Sequence, residues 1–157
     1  MSLAKTVFQS PVNILAFGLG SGLAPFAPGT FGTLAAIPLY WILSLFPLWF
    51  YLAVVLVAAV AGIWICGESA KKLGVHDHGG IVWDEFVGFW VTMIAAPSGL
   101  IWILAGFILF RIFDIWKPWP IYIADDKVKG GLGIMLDDII AGFYALVGMQ
   151  ILTFLFG

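Results

Sequence analysis

The chain has 157 residues, of which 62% are hydrophobic and only 10% are charged, and its net charge is −2. This composition is typical of an integral membrane protein and lies far from that of a soluble domain. The absence of a block of Lys and Arg argues against a nucleic acid partner, and the single cysteine, Cys66, excludes an internal disulfide.

The apolar segments predict an all-α, polytopic membrane bundle of about five spans, arranged as helical hairpins in one domain that covers residues 1–157. Residues 12–20 are short and rich in glycine, and we interpret them as a re-entrant or interfacial segment rather than a span. The predicted spans are 31–46 and 48–66 on either side of Pro47, two short arms within 86–112 joined by a turn at 96–99, and 139–156.

The charged residues predict the orientation of this bundle. All seven Lys and Arg lie in the N-terminal arm or in two polar loops, 67–85 and 111–138, and all nine Asp and Glu lie in the same loops or where these loops meet helices. Two spans separate successive polar segments, so the three segments lie on one side of the membrane. The excess of positive charge predicts that this side is cytoplasmic.

Two acidic doublets stand directly before apolar segments: Asp84 and Glu85 in "GGIVWDEFVG", and Asp137 and Asp138 in "GGLGIMLDDIIAG". Acids in the first turn of a helix can simply stabilise its dipole, by ~0.3 to 1 kcal/mol. We favour a metal site instead, because isolated carboxylates are costly at membrane depth and repel one another when they cluster. Hard oxygen ligands of this kind indicate Mg²⁺.

The segment "RIFDIWKPWP" places Arg111 and Asp114 three residues apart, on one face of a helix. The two residues form either a plain ion pair or part of a site in which Asp114 is a further metal ligand and Arg111 and Lys117 bind an anion. Lys117 precedes Pro118, so we expect it to leave helical geometry and project at the surface. Metal and cations together suit the phosphate of a lipid head group.

Three further candidates have simpler alternatives. The glycine-rich segment 18–33 either makes a tight turn or binds phosphate through Ser21, Thr30 and backbone N–H groups, and Thr30 is equally a candidate cap for the next helix. His76 and Asp77 in "VHDHGG" belong either to a surface loop or to a general acid or base, because histidine titrates near neutrality. The remaining acids and lysines form a solvated rim near the lipid head groups.

The segments "GSGLAPFAPGTFGTLAAIP", "GVHDHGGIVWDEFVGFW", "FRIFDIWKPWPI" and "GGLGIMLDDIIAG" together closely resemble the bacterial phosphatidylglycerophosphatase A family. They occur in family order and cover nearly the whole chain. The resemblance implies a compact helical bundle in the bacterial inner membrane. It also implies a Mg²⁺-dependent phosphatase that hydrolyses phosphatidylglycerophosphate to phosphatidylglycerol and phosphate.

Combined with the residue chemistry, the resemblance predicts an active site at the cytoplasmic face. Its predicted residues are Asp84, Glu85, Asp114, Asp137 and Asp138 for Mg²⁺, His76, Asp77 and Asp84 for catalysis, and Ser21, Thr30, Arg111 and Lys117 for the substrate phosphate. The alternative is a small transporter or a cation or proton channel that uses the acids as a relay. That alternative is disfavoured because the middles of the predicted spans carry almost no ionisable residues.

Overall fold

A computed structural model describes residues 2–76 and 78–157, and the regular elements of these residues are all helical, as predicted. A short 3-10 segment, Gly18–Leu23, follows the first two helices. The α-helices in chain order are α1 (Leu3–Phe8), α2 (Pro11–Ala16), α3 (Pro28–Ser44), α4 (Leu48–Leu73), α5 (Trp83–Thr92), α6 (Leu100–Trp116), α7 (Ile121–Lys127) and α8 (Gly130–Phe156).

The break predicted at Pro47 is confirmed, since α3 ends at Ser44 and α4 begins at Leu48. Helix α4 continues for 26 residues until Gly74 adopts a left-handed conformation with φ 71°. Glycine allows this conformation without steric cost, and it ends the helix. Lys71 and Lys72 lie in the last turn, where positive charge favours the carboxyl end of the helix dipole.

Helix α8 is the centre of the bundle and packs against α4, α5, α6 and α7. It begins at Gly130, earlier than the sequence suggested, so Asp137 and Asp138 lie inside the helix rather than directly before it. Small residues permit this packing. A Cβ atom on Gly131 would lie 1.8 Å from the carbonyl oxygen of Ile63, and one on Gly142 would lie 2.6 Å from that of Gly88.

Helix α5 is short and almost completely buried between its neighbours. Its 10 residues extend for about 15 Å, roughly half the thickness of a hydrocarbon core. Among the described helices, α4 and α8 are long and apolar enough to cross a membrane. The prediction of about five spans is therefore not confirmed by helix length and composition.

The N-terminal segment packs on the protein instead of standing apart from it. Val7, Ala16 and Phe17 are fully buried. Helix α2 is joined to α4 by a buried hydrogen bond in which the Ser69 hydroxyl donates to Asn13 Oδ1 at 2.8 Å. The re-entrant interpretation of residues 12–20 is not confirmed by these contacts.

The polar ends of the main helices meet at one end of the bundle. Arg111 near the end of α6 contacts Glu85 at the start of α5, and Lys117 just after α6 contacts Asp137 in the first half of α8. Gly29, at the start of α3, lies against Glu85 and Arg111. Helices that run in alternating directions thus bring distant parts of the sequence to a single site.

Candidate active site

A cavity of about 260 Å³ opens where these helix ends meet. Its lining includes all five carboxylates predicted as metal ligands and both cations predicted to bind phosphate. The carboxylates come from three helices: Asp84 and Glu85 from the first turn of α5, Asp114 from the last turn of α6, and Asp137 and Asp138 from α8. Each of the five residues is at most 8% exposed.

Two cations neutralise part of this cluster. An NH group of Arg111 lies 3.2 Å from Glu85 Oε2 and also forms an ion pair with Asp114. Lys117 Nζ lies 2.8 Å from Asp137 Oδ2 and 3.7 Å from Asp114 Oδ1. The pair between Arg111 and Asp114 expected from their spacing is confirmed, but it belongs to a network across three helices.

The backbone of Lys117 is as predicted, but its side chain lies in a different position from the one predicted. It leaves helical geometry with φ 52° and ψ 60°. Its side chain does not project at the surface, because it turns back and is only 28% exposed. Burial lowers the pKa of the Lys117 ammonium, but the carboxylates of Asp137, Asp114 and Asp138 outweigh burial and hold this pKa above its ordinary value. Lys117 is therefore a fixed positive charge in the cavity.

The donor set fits a hard divalent cation such as Mg²⁺. Carboxylate oxygens of Asp84, Glu85 and Asp138 lie within 4.8 Å of one another, as do those of Asp114, Asp137 and Asp138. Asp138 Oδ2 is buried and has no hydrogen-bond partner among the described residues. A buried carboxylate oxygen in this situation is costly unless a cation coordinates it.

Stabilisation of a helix dipole explains only one of the doublets. Asp84 and Glu85 do lie in the first turn of α5, where a carboxylate favours the positive end of the dipole. Asp137 and Asp138 lie two turns into α8, beyond the reach of that effect. The helix dipole therefore does not explain their burial beside Asp114, and a bound cation would offset its cost.

The predicted phosphate-binding roles of Ser21 and Thr30 stay predictions, and neither side chain is part of the cavity lining. The Ser21 hydroxyl donates to the carbonyl oxygen of Gly18 at 2.8 Å. Thr30 lies inside α3, so the alternative that it caps this helix is wrong; Ala27 is the capping residue. Within this segment, Gly29 lies against Glu85 and Arg111 of the site.

The loop before α5 brings a different histidine to the acids. His78 lines the acidic cavity, whereas His76 lines a separate cavity of about 540 Å³ between α4 and the start of α8. Asp77 lies outside the described residues. The backbone N–H of Gly80 donates to His78 Nδ1 at 2.9 Å, so in the neutral ring the proton is on Nε2. The catalytic roles of His76 and Asp77 stay predictions.

Two ionisable residues of the cavity lining were not predicted. His78 was part of the same histidine pair, but sequence spacing does not distinguish which member turns inward. Asp125 was assigned to the solvated rim, and it is exposed, yet it lines the mouth of the cavity. Its position at the end of a short helix, α7, gave no periodic signal that could have identified it.

Comparisons with known proteins identify the family of this chain. The family model for phosphatidylglycerophosphatase A matches residues 14–153. The chain belongs to the phosphatidylglycerophosphatase A family. Membership makes it an enzyme of a phosphatase family. The chain is 49% identical over 140 residues to the phosphatidylglycerophosphatase A of Escherichia coli, a match that covers 88% of this chain and 81% of that protein.

Two further relatives also match most of this chain. The phosphatidylglycerophosphatase A of Haemophilus influenzae is 46% identical over 147 residues, which is 92% of this chain and 90% of that protein. A Bacteroides thetaiotaomicron protein, provisionally named a phosphatidylinositol-3-phosphatase, is 38% identical over 152 residues and is covered to 94% of its length. No solved structure matches the chain significantly.

Proposed function

We propose that this protein hydrolyses phosphatidylglycerophosphate to phosphatidylglycerol and inorganic phosphate, with Mg²⁺ as its cofactor, at the cytoplasmic face of a bacterial inner membrane. The observation that carries the proposal is the buried cavity in which five carboxylates and two cations from three helices converge. The family match over residues 14–153 supports the substrate.

The two cations are suited to the substrate phosphate. Arg111 Nε is buried and has no hydrogen-bond partner among the described residues, so the guanidinium retains a donor for a phosphate oxygen. Lys117 supplies a point charge on the opposite side of Asp114. Together they would hold the phosphoryl group and balance the charge that develops on its oxygens.

The buried acids would hold the metal. Asp84, Glu85, Asp114, Asp137 and Asp138 offer only oxygen ligands, as Mg²⁺ prefers. When bound, Mg²⁺ would neutralise phosphate charge and lower the pKa of a coordinated water.

Hydrolysis requires one bond to form and one to break. Water adds to phosphorus, the bond from phosphorus to the ester oxygen of the lipid breaks, and that oxygen must acquire a proton as it leaves. His78 lines the cavity, and its imidazolium form would donate that proton and return to the neutral ring, in which Nδ1 accepts the hydrogen bond from Gly80 N–H. His76 and Asp77 remain the alternative proton donors predicted from the sequence.

The membrane arrangement that we propose has five passes: α3, α4, α5 with the segment that follows it, α6 and α8. Its support is the apolar outer surface and the placement of tryptophans. Trp41 and Trp49 are exposed at one end of the bundle, and Trp116 and Trp119 at the other. Exposed tryptophans at both ends are typical of the two interfaces of a membrane.

The experiment is phosphate release from phosphatidylglycerophosphate by the purified full-length protein in detergent, with Mg²⁺ and then with EDTA. We expect release that EDTA abolishes and that Asp138→Asn lowers by at least ~100-fold. The matched control is Asp126→Asn, an acid whose side chain is 76% exposed, which should leave the rate unchanged. A folded protein that releases no phosphate but conducts protons or cations in liposomes would support the transporter alternative and overturn the proposal.

A further inference from the structure

The five buried carboxylates form two groups that share one member. Asp84, Glu85 and Asp138 each place one oxygen within 4.8 Å of the others, and Asp114, Asp137 and Asp138 do the same. The first group joins α5 to α8, and the second joins α6 to α8. Two groups of hard ligands that share a carboxylate are the arrangement of a site for two metal ions, with the shared residue as the bridge.

Asp138 has the environment that a bridging ligand needs. It is 1% exposed, the lowest exposure of the five acids. Its Oδ2 atom is buried without a hydrogen-bond partner among the described residues, although the side chain lines the cavity. The cations that neutralise the cluster contact Glu85, Asp114 and Asp137 instead. Asp138, the residue common to both groups, thus forms no direct ion pair with either cation among the described residues.

The charge of the cavity decides between one ion and two. Six carboxylates line the cavity, the five buried ones and the exposed Asp125 at its mouth, and against Arg111 and Lys117 they leave four negative charges. One divalent ion leaves the cavity with two negative charges, which would repel a phosphate monoester that itself carries about −1.5 to −2 charges at neutral pH. Two divalent ions neutralise the cavity and remove this repulsion.

We propose that the cavity binds two divalent cations per chain, one at Asp84, Glu85 and Asp138 and one at Asp114, Asp137 and Asp138, with Asp138 as the shared ligand. This inference deepens the proposed function and rests on it for the identity of the cavity as the phosphatase site. The number of ions is nevertheless measurable without any substrate.

The test uses Mn²⁺ alone, because its electron paramagnetic resonance spectrum separates free from bound ion. Full-length protein in nanodiscs of phosphatidylcholine is titrated with Mn²⁺. This lipid is zwitterionic, so the bilayer adds no anionic sites that would bind Mn²⁺. We expect two ions bound per chain and a magnetically coupled spectrum at saturation, since ions that share a carboxylate are roughly 3.5–4 Å apart. One bound ion at saturation, or two with no coupling, would overturn the proposal.

Three variants assign the ions to their ligands. The Asp84→Asn and Asp137→Asn variants should each still bind one ion, with unchanged or lower affinity, and should lose the coupled spectrum. Asp138→Asn should weaken both ions by at least about tenfold, because it is the ligand that both share. Asp126→Asn is the exposed control and should match the original protein. Folded Asp84→Asn and Asp137→Asn variants that each lose all bound Mn²⁺ would indicate a single site and overturn the assignment.

The same preparation separates this inference from the proposed function. Release of phosphate from phosphatidylglycerophosphate by a protein that binds one Mn²⁺ per chain would overturn the two-ion site and leave the phosphatase function intact. Two coupled ions in a protein that releases no phosphate would support the site and contradict the function.

Discussion

Gly29 shows how a residue without a side chain can control the geometry of the site. It lies at the start of α3, where an added Cβ atom would be 3.0 Å from Glu85 Oε1 and 3.2 Å from an NH group of Arg111. Both contacts are with the ends of flexible side chains, so an added methyl group would be accommodated by moving them. The site would then change while the fold persists.

We therefore predict that Gly29→Ala lowers phosphate release by about tenfold or more, because small displacements of positioned groups are costly in catalysis. Thermal unfolding should show equal or slightly greater stability, since alanine favours a helix over glycine by about 1 kcal/mol. Gly148→Ala is the control: its Cβ would meet only the side chain of Leu109, at 3.3 Å, and Gly148 is not among the residues that line the cavity. Equal activity of the two variants would show that Gly29 does not position the site.

The two histidines of one loop give a second prediction at this scale. His78 lines the acidic cavity and His76 lines another. We expect His78→Gln to lower kcat by ~100-fold or more with little change in KM, as for a lost proton donor, and His76→Gln to have a small effect. Measurement of kcat and KM for both variants decides between them, and the opposite ranking would restore the prediction made for His76.

The site residues that could be predicted from the sequence are those whose burial is energetically costly. The acids Asp84, Glu85, Asp114, Asp137 and Asp138 were identifiable because charge is rare in this chain and expensive to bury near a membrane. The choice between the histidines was not, since it depends on the path of the loop. That path is set by close contact between Gly80 and Gly22, which lie far apart in the sequence.

At the scale of elements, the sequence predicted the last span at 139–156, but α8 already begins at Gly130. Gly131 and Gly133 lie inside the helix, where an added Cβ would lie 1.8 Å from the carbonyl oxygen of Ile63 and 2.1 Å from that of Val128. These glycines permit close approach of backbones, as small residues do between membrane helices. Glycine occurs both in turns and at close backbone contacts, and only the position of the neighbouring backbone distinguishes the two.

Helix α5 is held to α8 by the same device, which gives the third prediction. A Cβ on Gly142 would lie 2.6 Å from the carbonyl oxygen of Gly88, a backbone atom that cannot move aside alone. Gly142→Ala should therefore separate the two helices and lower the free energy of unfolding by ~1–3 kcal/mol. Thermal unfolding in detergent measures the change.

Gly148→Ala, six residues further along α8, is the matched control for that prediction. Its Cβ would meet only the side chain of Leu109, at 3.3 Å, and a leucine can adjust. This variant should be as stable as the original protein or more stable by up to about 1 kcal/mol, because alanine favours a helix over glycine. A Gly142→Ala protein as stable as the Gly148→Ala protein would contradict the proposed role of the close contact.

At the scale of the whole molecule, the helical segments were predicted from the sequence more accurately than the number of membrane spans. Residues 86–112 contain enough apolar residues for two short arms, but α5 ends at Thr92 after 10 residues. The helix is buried on nearly all sides, so its apolar character reflects protein neighbours and not lipid. Hydropathy measures both environments alike, and for that reason it overestimates the length of a central helix.

The orientation of the bundle gives the last prediction, because the proposed five-pass arrangement places the acidic cavity and the opposite end in different compartments. Single cysteines on a Cys66→Ala background report the two ends: Asp126→Cys near the cavity and Ser98→Cys in the turn before α6, both at exposed positions. Since the positive charges cluster with the cavity, the positive-inside rule places Asp126 in the cytoplasm.

A membrane-impermeant maleimide should label Asp126→Cys in inverted vesicles and Ser98→Cys in right-side-out vesicles. The reverse pattern would place the phosphatase site on the outer face, and labelling of both from one side would contradict an odd number of passes between them.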